Sequence, residues 1–281
     1  MTAAALSNEI KSLLTRAGAE NPAGDASLII ENALGLSRIG LILNADTEVS
    51  PRQAELALGM AKRRAAGEPI QYILGSWTFM GREYFVGKGV LIPRDDTEVV
   101  VNAAIDMIKG VSRPCIVDLC SGSGIIAIAL YHALTGADIS AVEKSPEAYA
   151  YLERNAQLNS ADIRLINADL SECAGLFDDG SIDLLISNPP YIPSAELPGL
   201  QAEVQREPQM ALDGGESGLD FYRDIIDIWL PKLKKCGVIA FELGEKQYEA
   251  VAAMLRAAGC SEIRGYSDIQ GITRATTAIK N

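Results

Sequence analysis

The amino-acid sequence predicts an α/β protein: a small helical N-terminal region, a β-hairpin, and then a doubly wound, mainly parallel sheet. Three observations carry this reading. Apolar residues recur at helical spacing from residue 1 to about 70. Aromatic and β-branched residues broken by glycines fill 71–92. From about residue 93, strand-length apolar runs alternate with helical ones, the pattern of a parallel sheet covered by helices. The expected division is 1–72 helical domain, 73–92 hairpin linker and 93–281 α/β domain.

Each element has its own local justification. Leu6, Ile10, Leu13 and Leu14 mark one helix, and Leu28, Ile29, Ala33 and Leu36 a second, with Asn21-Pro22 between them. Ser50-Pro51 supplies an N-cap and a first-turn proline for a third helix carrying Leu56, Leu58 and Met60. That helix ends at Lys62-Arg63-Arg64, read as a solvated end that complements the helix dipole, or else as contact with an acidic or RNA partner. Tyr72, Ile73, Trp77, Phe79, Tyr84, Phe85 and Val86 are strand formers separated by Gly75, Gly81, Gly87 and Gly89, hence the hairpin. Beyond it, helices are expected over 97–108, 125–134, 146–158, 221–233 and 247–258. Strands are expected over 115–119, 139–142, 163–166, 182–186 and 237–242, with a final pair near 262–279.

Composition narrows the function classes. The chain has 281 residues, 48% of them hydrophobic, and a formal charge of −12. Such acidity repels phosphate backbones and disfavours a long nucleic-acid footprint. Cys115, Cys120, Cys173, Cys236 and Cys260 form no CxxC pair, and the single histidine, His132, falls in a helix. Metal binding is therefore not expected, His132 reads as structural, and the cysteines read as small core residues in a reducing compartment. No basic stretch leads into an apolar core at the N-terminus, and no apolar run reaches the roughly 18 residues of a membrane span. A cytoplasmic protein without membrane attachment is expected, and a monomer.

Chemistry concentrates at two places. Asp118-Leu119-Cys120-Ser121-Gly122-Ser123-Gly124 follows the first strand of the sheet and opens a helix. Glycines let backbone approach a ligand closely, and the helix start offers free N–H groups. Glu143 ends the next strand, where a carboxylate can accept from both hydroxyls of a ribose, and Asp169 after the third strand can accept from an adenine amino group. Gly122-x-Gly124-x-x-Ala127 equally satisfies a dinucleotide fingerprint, so NAD remains an alternative at this point.

The second place is Asn188-Pro189-Pro190-Tyr191, directly after an apolar strand. Two prolines restrict the chain and donate no hydrogen bond of their own. The Asn188 side-chain carbonyl and the Pro189 backbone carbonyl can each accept one hydrogen of a planar NH2 group, and Tyr191 can stack on it. Two such acceptors favour positive charge developing on a weakly nucleophilic nitrogen and hold it in line with an electrophilic methyl. The proton can leave after transfer, so no histidine is required.

These residues resemble the amino-methyltransferases that carry an Asn/Asp-Pro-Pro-Tyr/Phe motif. More of the chain resembles the HemK/PrmC family, which methylates the glutamine amide of peptide-chain release factors. The resemblance covers 68–75 (Glu-Pro-Ile-Gln-Tyr-Ile-Leu-Gly), Phe79, 91–98, the glycine turn, 187–192, Glu207-Pro208, 211–215 and 218–222. It implies a Rossmann-like methyltransferase sheet of seven strands and a helical N-terminal domain that helps recognise the substrate. It implies S-adenosylmethionine as methyl donor, with S-adenosylhomocysteine as product. Class 1 release factors would be the partners, methylated at N5 of the glutamine in their Gly-Gly-Gln loop. Carried over residue by residue, cofactor binding falls to Cys120, Ser121, Gly122, Ser123, Gly124, Glu143, Asp169, Leu170 and Asn188. The glutamine falls to Asn188, Pro189, Pro190 and Tyr191, with Asn188, Pro189 and Tyr191 catalytic. Residues 93–98 would flank the cofactor, Arg94 being equally readable as a structural ion-pair partner. Cys120-Ser121 stands where the family has glycine-threonine, Asp95 where it has proline, and Leu170 where some members have an aromatic residue. A DNA or RNA adenine or cytosine amino-methyltransferase shares the Asn-Pro-Pro-Tyr motif and remains the alternative.

Overall fold

The computed structural model describes residues 1–281, the side chain of Arg38 excepted. The chain forms two compact units. The first comprises Met1–Ser76 together with Gln201–Arg206, and the second Trp77–Leu200 together with Glu207–Asn281.

The first unit holds α1 (Ala3–Arg16), α2 (Pro22–Leu34), α3 (Arg38–Leu43), α4 (Pro51–Ala65) and α5 (Ile70–Leu74). Thr2, Asn21, Ser37 and Ser50 cap the first four, each side chain accepting from a first-turn N–H. At α4, Gln53 reaches back to complete a capping box. Leu6, Ile10, Leu14, Ile29, Ile30, Ala57 and Ala61 make the core. The sequence reading is corrected in three places here. Helix α3 was not anticipated, because six residues give too short a period to register. Tyr72 and Ile73 lie in helix α5 rather than in a strand. Pro69 starts that turn, Gly75 ends it at φ 80°, and Ile70 and Ile73, three residues apart, both enter the helical core. Third, Arg64 is not a solvated helix end. Only 6% of its surface is exposed, and its guanidinium pairs with Asp25 (2.7 Å) and with Glu203.

The second unit opens with a hairpin of β1 (Ser76–Phe79, of which Ser76 still counts with the first unit) and β2 (Arg82–Phe85). Its two-residue turn, Met80-Gly81, has positive φ at both positions, matching the right-handed twist of the strands. Then follow α6 (Thr97–Ile108), β3 (Cys115–Leu119), α7 (Ile125–Ala133), β4 (Asp138–Glu143), α8 (Pro146–Leu158), β5 (Arg164–Asn167), α9 (Leu170–Cys173) and β6 (Ile182–Ser187). The chain ends with α10 (Asp220–Trp229), β7 (Leu233–Glu242), α11 (Tyr248–Ala257), β8 (Cys260–Ser267) and β9 (Thr273–Lys280). Seven strands lie in the order β5-β4-β3-β6-β7-β9-β8. The first five run parallel, and β9 is antiparallel to both β7 and β8. Apolar clusters cover both faces, one around Trp229, Phe241 and Leu185, the other around Ile116, Ile128 and Leu184.

Buried Asn155 of α8 ties three pieces together. Its Oδ1 accepts from Phe85 N (2.6 Å), and its Nδ2 donates to Phe85 O (3.0 Å) and to Ser123 O (2.9 Å). The hairpin is thereby fixed to the glycine turn. The cysteines follow the sequence expectation only in part: Cys173 and Cys260 are buried, Cys115 and Cys120 half-buried, and Cys236 exposed. Cys236 sits at φ 62° beside an irregular pairing of β6 with β7, which turns it out of the core. Among the described residues no helix is long and apolar enough to cross a membrane, and no group of His, Cys, Asp or Glu could hold a metal ion.

Candidate active site

Strand order reverses between β3 and β6, and doubly wound sheets bind ligands beyond the carboxyl ends of the strands at such a point. The register aligns the ends. Leu119 of β3 is the partner of Val142 in β4 and of Ser187 in β6, and Ser187 is in turn the partner of Phe241 in β7. The residues that follow, Cys120, Glu143, Asn188 and Glu242, therefore emerge side by side. Ser187 Oγ donates to Leu119 O at 2.7 Å and pins the central pair. A surface depression of about 550 Å³ between Arg113, Asp138, Asp162 and Arg164 lies at the opposite, amino ends of β4 and β5.

The glycine turn has an unusual backbone. Cys120, Gly122 and Gly124 have φ of 59°, 55° and 85°. Alternate left-handed residues fold the chain so that α7 begins at Ile125 with no cap from its N-cap residue; Asp118 takes the Ala127 N–H, which leaves those of Ile125 and Ile126 for a ligand. Gly124 is also needed for space, since a Cβ there would stand 2.4 Å from Leu152 Cδ1. At Gly122 a Cβ would meet nothing within 4 Å, so that face of the turn is open. Glu143 is nearly buried. Its Oε2 accepts from Gly122 N (2.8 Å) and its Oε1 from Ser145 N (2.7 Å). Desolvation raises its pKa against the pull of these amides. Asp118, fully buried, accepts from Ala127 N at 3.2 Å through Oδ2, while Oδ1 finds no partner. Burial pushes its pKa to about 8. Asp169 caps α9, accepting from Ser171 N (2.8 Å), and pairs with Lys144 (2.7 Å), which holds its pKa at about 2. Leu170 is buried, and its carbonyl accepts from the Trp229 indole at 3.0 Å.

In Asn188-Pro189-Pro190-Tyr191, the two prolines are buried, and Asn188 and Tyr191 partly so. Asn188 Nδ2 donates to Thr97 Oγ1 at 3.4 Å, which leaves its carbonyl oxygen on the opposite arm of the amide. The Tyr191 hydroxyl donates to Glu242 Oε1 at 3.4 Å. The loop 211–218 explains its own glycines by wrapping this motif. A Cβ on Gly214 would stand 2.8 Å from Pro190 O, and one on Gly218 2.4 Å from Tyr191 O. Ile192 exchanges main-chain bonds with Leu212 and Gly214. Gln247, which the sequence reading did not single out, donates to Tyr191 O (2.8 Å) and Gly218 O (3.1 Å). Glu242 was likewise missed, being read only as a strand end, whereas Thr97 was expected only as part of the 93–98 segment flanking the cofactor. Arg94 pairs with buried Glu207, whose Oε2 accepts from Ile92 N at 3.0 Å, so the 91–94 segment is held from behind.

A site assembled from these parts can be compared with known proteins. A family model for the PrmC N-terminal domain matches residues 5–75, and one for the methyltransferase small domain matches 101–206. A release factor glutamine methyltransferase of Geobacter sulfurreducens is 41% identical over 93% of this chain and 90% of its own length. The chain belongs to the release factor glutamine methyltransferase family. A second member, from Moorella thermoacetica, is 39% identical over 88% of this chain and 87% of its own. A methyltransferase structure from Pyrococcus furiosus superposes with a TM-score of 0.52, covering 83% of this chain and all of that one, at 16% identity. That likeness bears on the fold alone, a Rossmann-like methyltransferase sheet. Family membership sets aside the nicotinamide reading of the glycine turn.

Proposed function

We propose that this enzyme transfers a methyl group from S-adenosylmethionine to N5 of the glutamine in the Gly-Gly-Gln loop of class 1 release factors. The observation that carries the reading is the register that brings Asn188 beside the glycine turn, in a chain 41% identical to a release factor glutamine methyltransferase over 93% of its length.

The residues present fit the donor. The turn at Cys120, Ser121, Gly122, Ser123 and Gly124 offers an open face and uncapped helix N–H groups, and Glu143 offers carboxylate oxygens for a ribose. Leu170 is apolar and buried, suiting an adenine, and Asp169 keeps lone pairs free beside its two partners. S-adenosylmethionine, when bound, supplies an electron-poor methyl group on a sulfonium. Asn188 Oδ1 and Pro189 O accept the two hydrogens of the glutamine amide and fix its nitrogen. Tyr191 packs on the amide plane, and Pro190 keeps the chain extended. Because the nitrogen lone pair is delocalised, acceptors aimed at its hydrogens help most when charge appears on nitrogen, which is in the transition state. The N-terminal unit serves release factor recognition, and the enzyme acts as a monomer in the cytoplasm.

The experiment supplies S-adenosylmethionine with a labelled methyl group, and offers as acceptor a release factor, the same factor with its loop glutamine replaced, or DNA. Label on the first alone, located on the glutamine by mass spectrometry, is the expected result. Label on DNA would overturn the substrate assignment. Asn188→Ala is expected to lower kcat at least ~100-fold with donor affinity nearly unchanged.

A further inference from the structure

β7 ends at Glu242, and Leu243-Gly244-Glu245-Lys246 turns the chain towards α11. Lys246 takes φ 70°, and Gln247 N donates back to Gly244 O at 3.2 Å, which closes the turn. Gln247 stands at the N-cap of α11, a position that favours short side chains able to bond the first turn. It makes no such bond, because its amide is used elsewhere. Oε1 accepts from Gly244 N (3.0 Å) and, at 3.3 Å, shares the Tyr222 hydroxyl proton with Glu242 O. Nε2 donates to Tyr191 O (2.8 Å) and to Gly218 O (3.1 Å). A side-chain amide has two N–H donors and two acceptor lone pairs, so Gln247 is saturated. Gly244 N can only donate and the two carbonyls can only accept, so the amide fits one way round.

We infer that Gln247 is a positioning residue for methyl transfer, fixing the stretch Asn188–Tyr191 by its grip on the Tyr191 carbonyl and fastening the loop 211–218 to it. The inference rests on the reading above that this stretch holds the glutamine amide. Pro189 and Pro190 have restricted φ, and Pro190 also restricts Pro189, so the freedom left lies mainly at the tyrosine end. There the Tyr191–Ile192 peptide is held on both edges, its carbonyl by Gln247 and its N–H by Leu212 O (2.9 Å). Glycines allow the close approach. A Cβ on Gly218 would stand 2.4 Å from Tyr191 O and 2.8 Å from Gln247 Nε2, and one on Gly244 3.0 Å from Tyr191 Cδ2. The motif, the loop and the turn after β7 thus meet on one amide.

Saturated in this way, Gln247 acts through Tyr191 and not on the substrate itself. Removing its amide leaves two carbonyls and one N–H without their partner and frees the stretch to shift. Misplacing a reacting nitrogen by about 1 Å costs on the order of 100-fold in rate. The donor side should be spared, since Glu143 and Asp169 take their bonds from Gly122, Ser145, Ser171 and Lys144.

The test compares Gln247→Glu and Gln247→Leu with the natural enzyme, using S-adenosylmethionine and a release factor. Glutamate keeps the length, the planar end and the acceptor for Gly244 N, but turns an oxygen instead of an NH2 towards the two carbonyls. Both variants are expected to lower kcat by roughly 10- to 100-fold and to raise KM for the release factor. Affinity for S-adenosylmethionine, read by calorimetry, should stay within about twofold, which also shows that the variant is folded. A purely structural role would not produce that split. Gly218→Ala crowds the same carbonyl from the loop side and should give the same split, so the result does not hang on one variant's folding. Combined with Gln247→Glu it should cost less than the product of the two effects, because both act through Tyr191. A Gln247→Glu enzyme with natural kcat and natural KM for the release factor would overturn the inference, as would a loss of donor affinity as large as the loss of kcat. Asn188→Ala separates the two failures. If that variant is inactive while Gln247→Glu is unaltered, only the positioning role falls; if Asn188→Ala is fully active, the reading of the transfer motif falls with it.

Discussion

The main-chain N–H of Gly122 donates to Glu143 Oε2 at 2.8 Å, tying the turn after β3 to the carboxylate that ends β4. One side chain thus holds the turn in shape and, in the function proposed above, also receives the ribose. Glu143→Ala should weaken S-adenosylmethionine binding by about 10- to 100-fold, the loss of one or two charge-assisted hydrogen bonds. Titration calorimetry reads it directly, and unchanged affinity would remove Glu143 from the cofactor site.

Cys120 occupies a left-handed backbone position, φ 59°, where a Cβ is strained. The strain is isolated by comparing two variants that both lack the thiol. Cys120→Gly is expected to be more stable than Cys120→Ala by about 1 kcal/mol, because the left-handed penalty exceeds the extra entropy glycine loses on folding. Urea midpoints of the two proteins check it, and equal midpoints would mean that the turn relaxes without strain.

Asp118 gives stability a pH dependence of defined sign. Its pKa rises from an ordinary 3.8 to about 8 on folding, so between those values the native state holds the extra proton. Stability contributed by the protonated group is complete below about pH 4 and is lost as pH rises towards about 8. Glu242, raised to about 7, acts in the same direction but is exhausted earlier. The fall in stability between about pH 7 and 8 therefore belongs mainly to Asp118. Asp118→Asn, which mimics the neutral acid, should flatten it. Urea unfolding at the two pH values measures the difference, and a natural protein whose stability does not change across that window would contradict the assignment.

Arg64 and Asp25 form an ion pair in the N-terminal unit with side chains only 5% and 8% exposed. Arg64→Met should destabilise by about 3–5 kcal/mol, because Asp25 is left buried without its partner. Combining it with Asp25→Leu should recover most of the loss. Thermal or denaturant unfolding of the single and double variants decides this, and a double variant no better than the single would show that packing, not charge, dominates the position.

Much of the architecture is legible along the chain because it depends on local periodicity. Alternating apolar runs give β3 to β7 and their helices, and Ser50-Pro51 marks the start of α4 almost to the residue. The short helices α3, α5 and α9 are not legible. Each spans too few residues to show a period, and α5 is made of strand-forming residues that adopt a helical turn only because Ile70 and Ile73 are drawn into the same core.

The sequence by itself determined which chemical groups exist and in what local setting: a glycine turn before a helix, an acid ending the next strand, and Asn-Pro-Pro-Tyr after the fourth strand of the sheet. These are readable because chain neighbours fix backbone conformation. Tertiary structure alone decided which groups stand together. Thr97, Asn188, Tyr191, Glu242 and Gln247 are brought to one place by parallel strand register and by the return of a distant loop. No sequence period encodes those distances. It also decided charge, since the ionisation of Glu242 and Asp118 follows from burial, which is a property of the packed molecule and not of any segment in it.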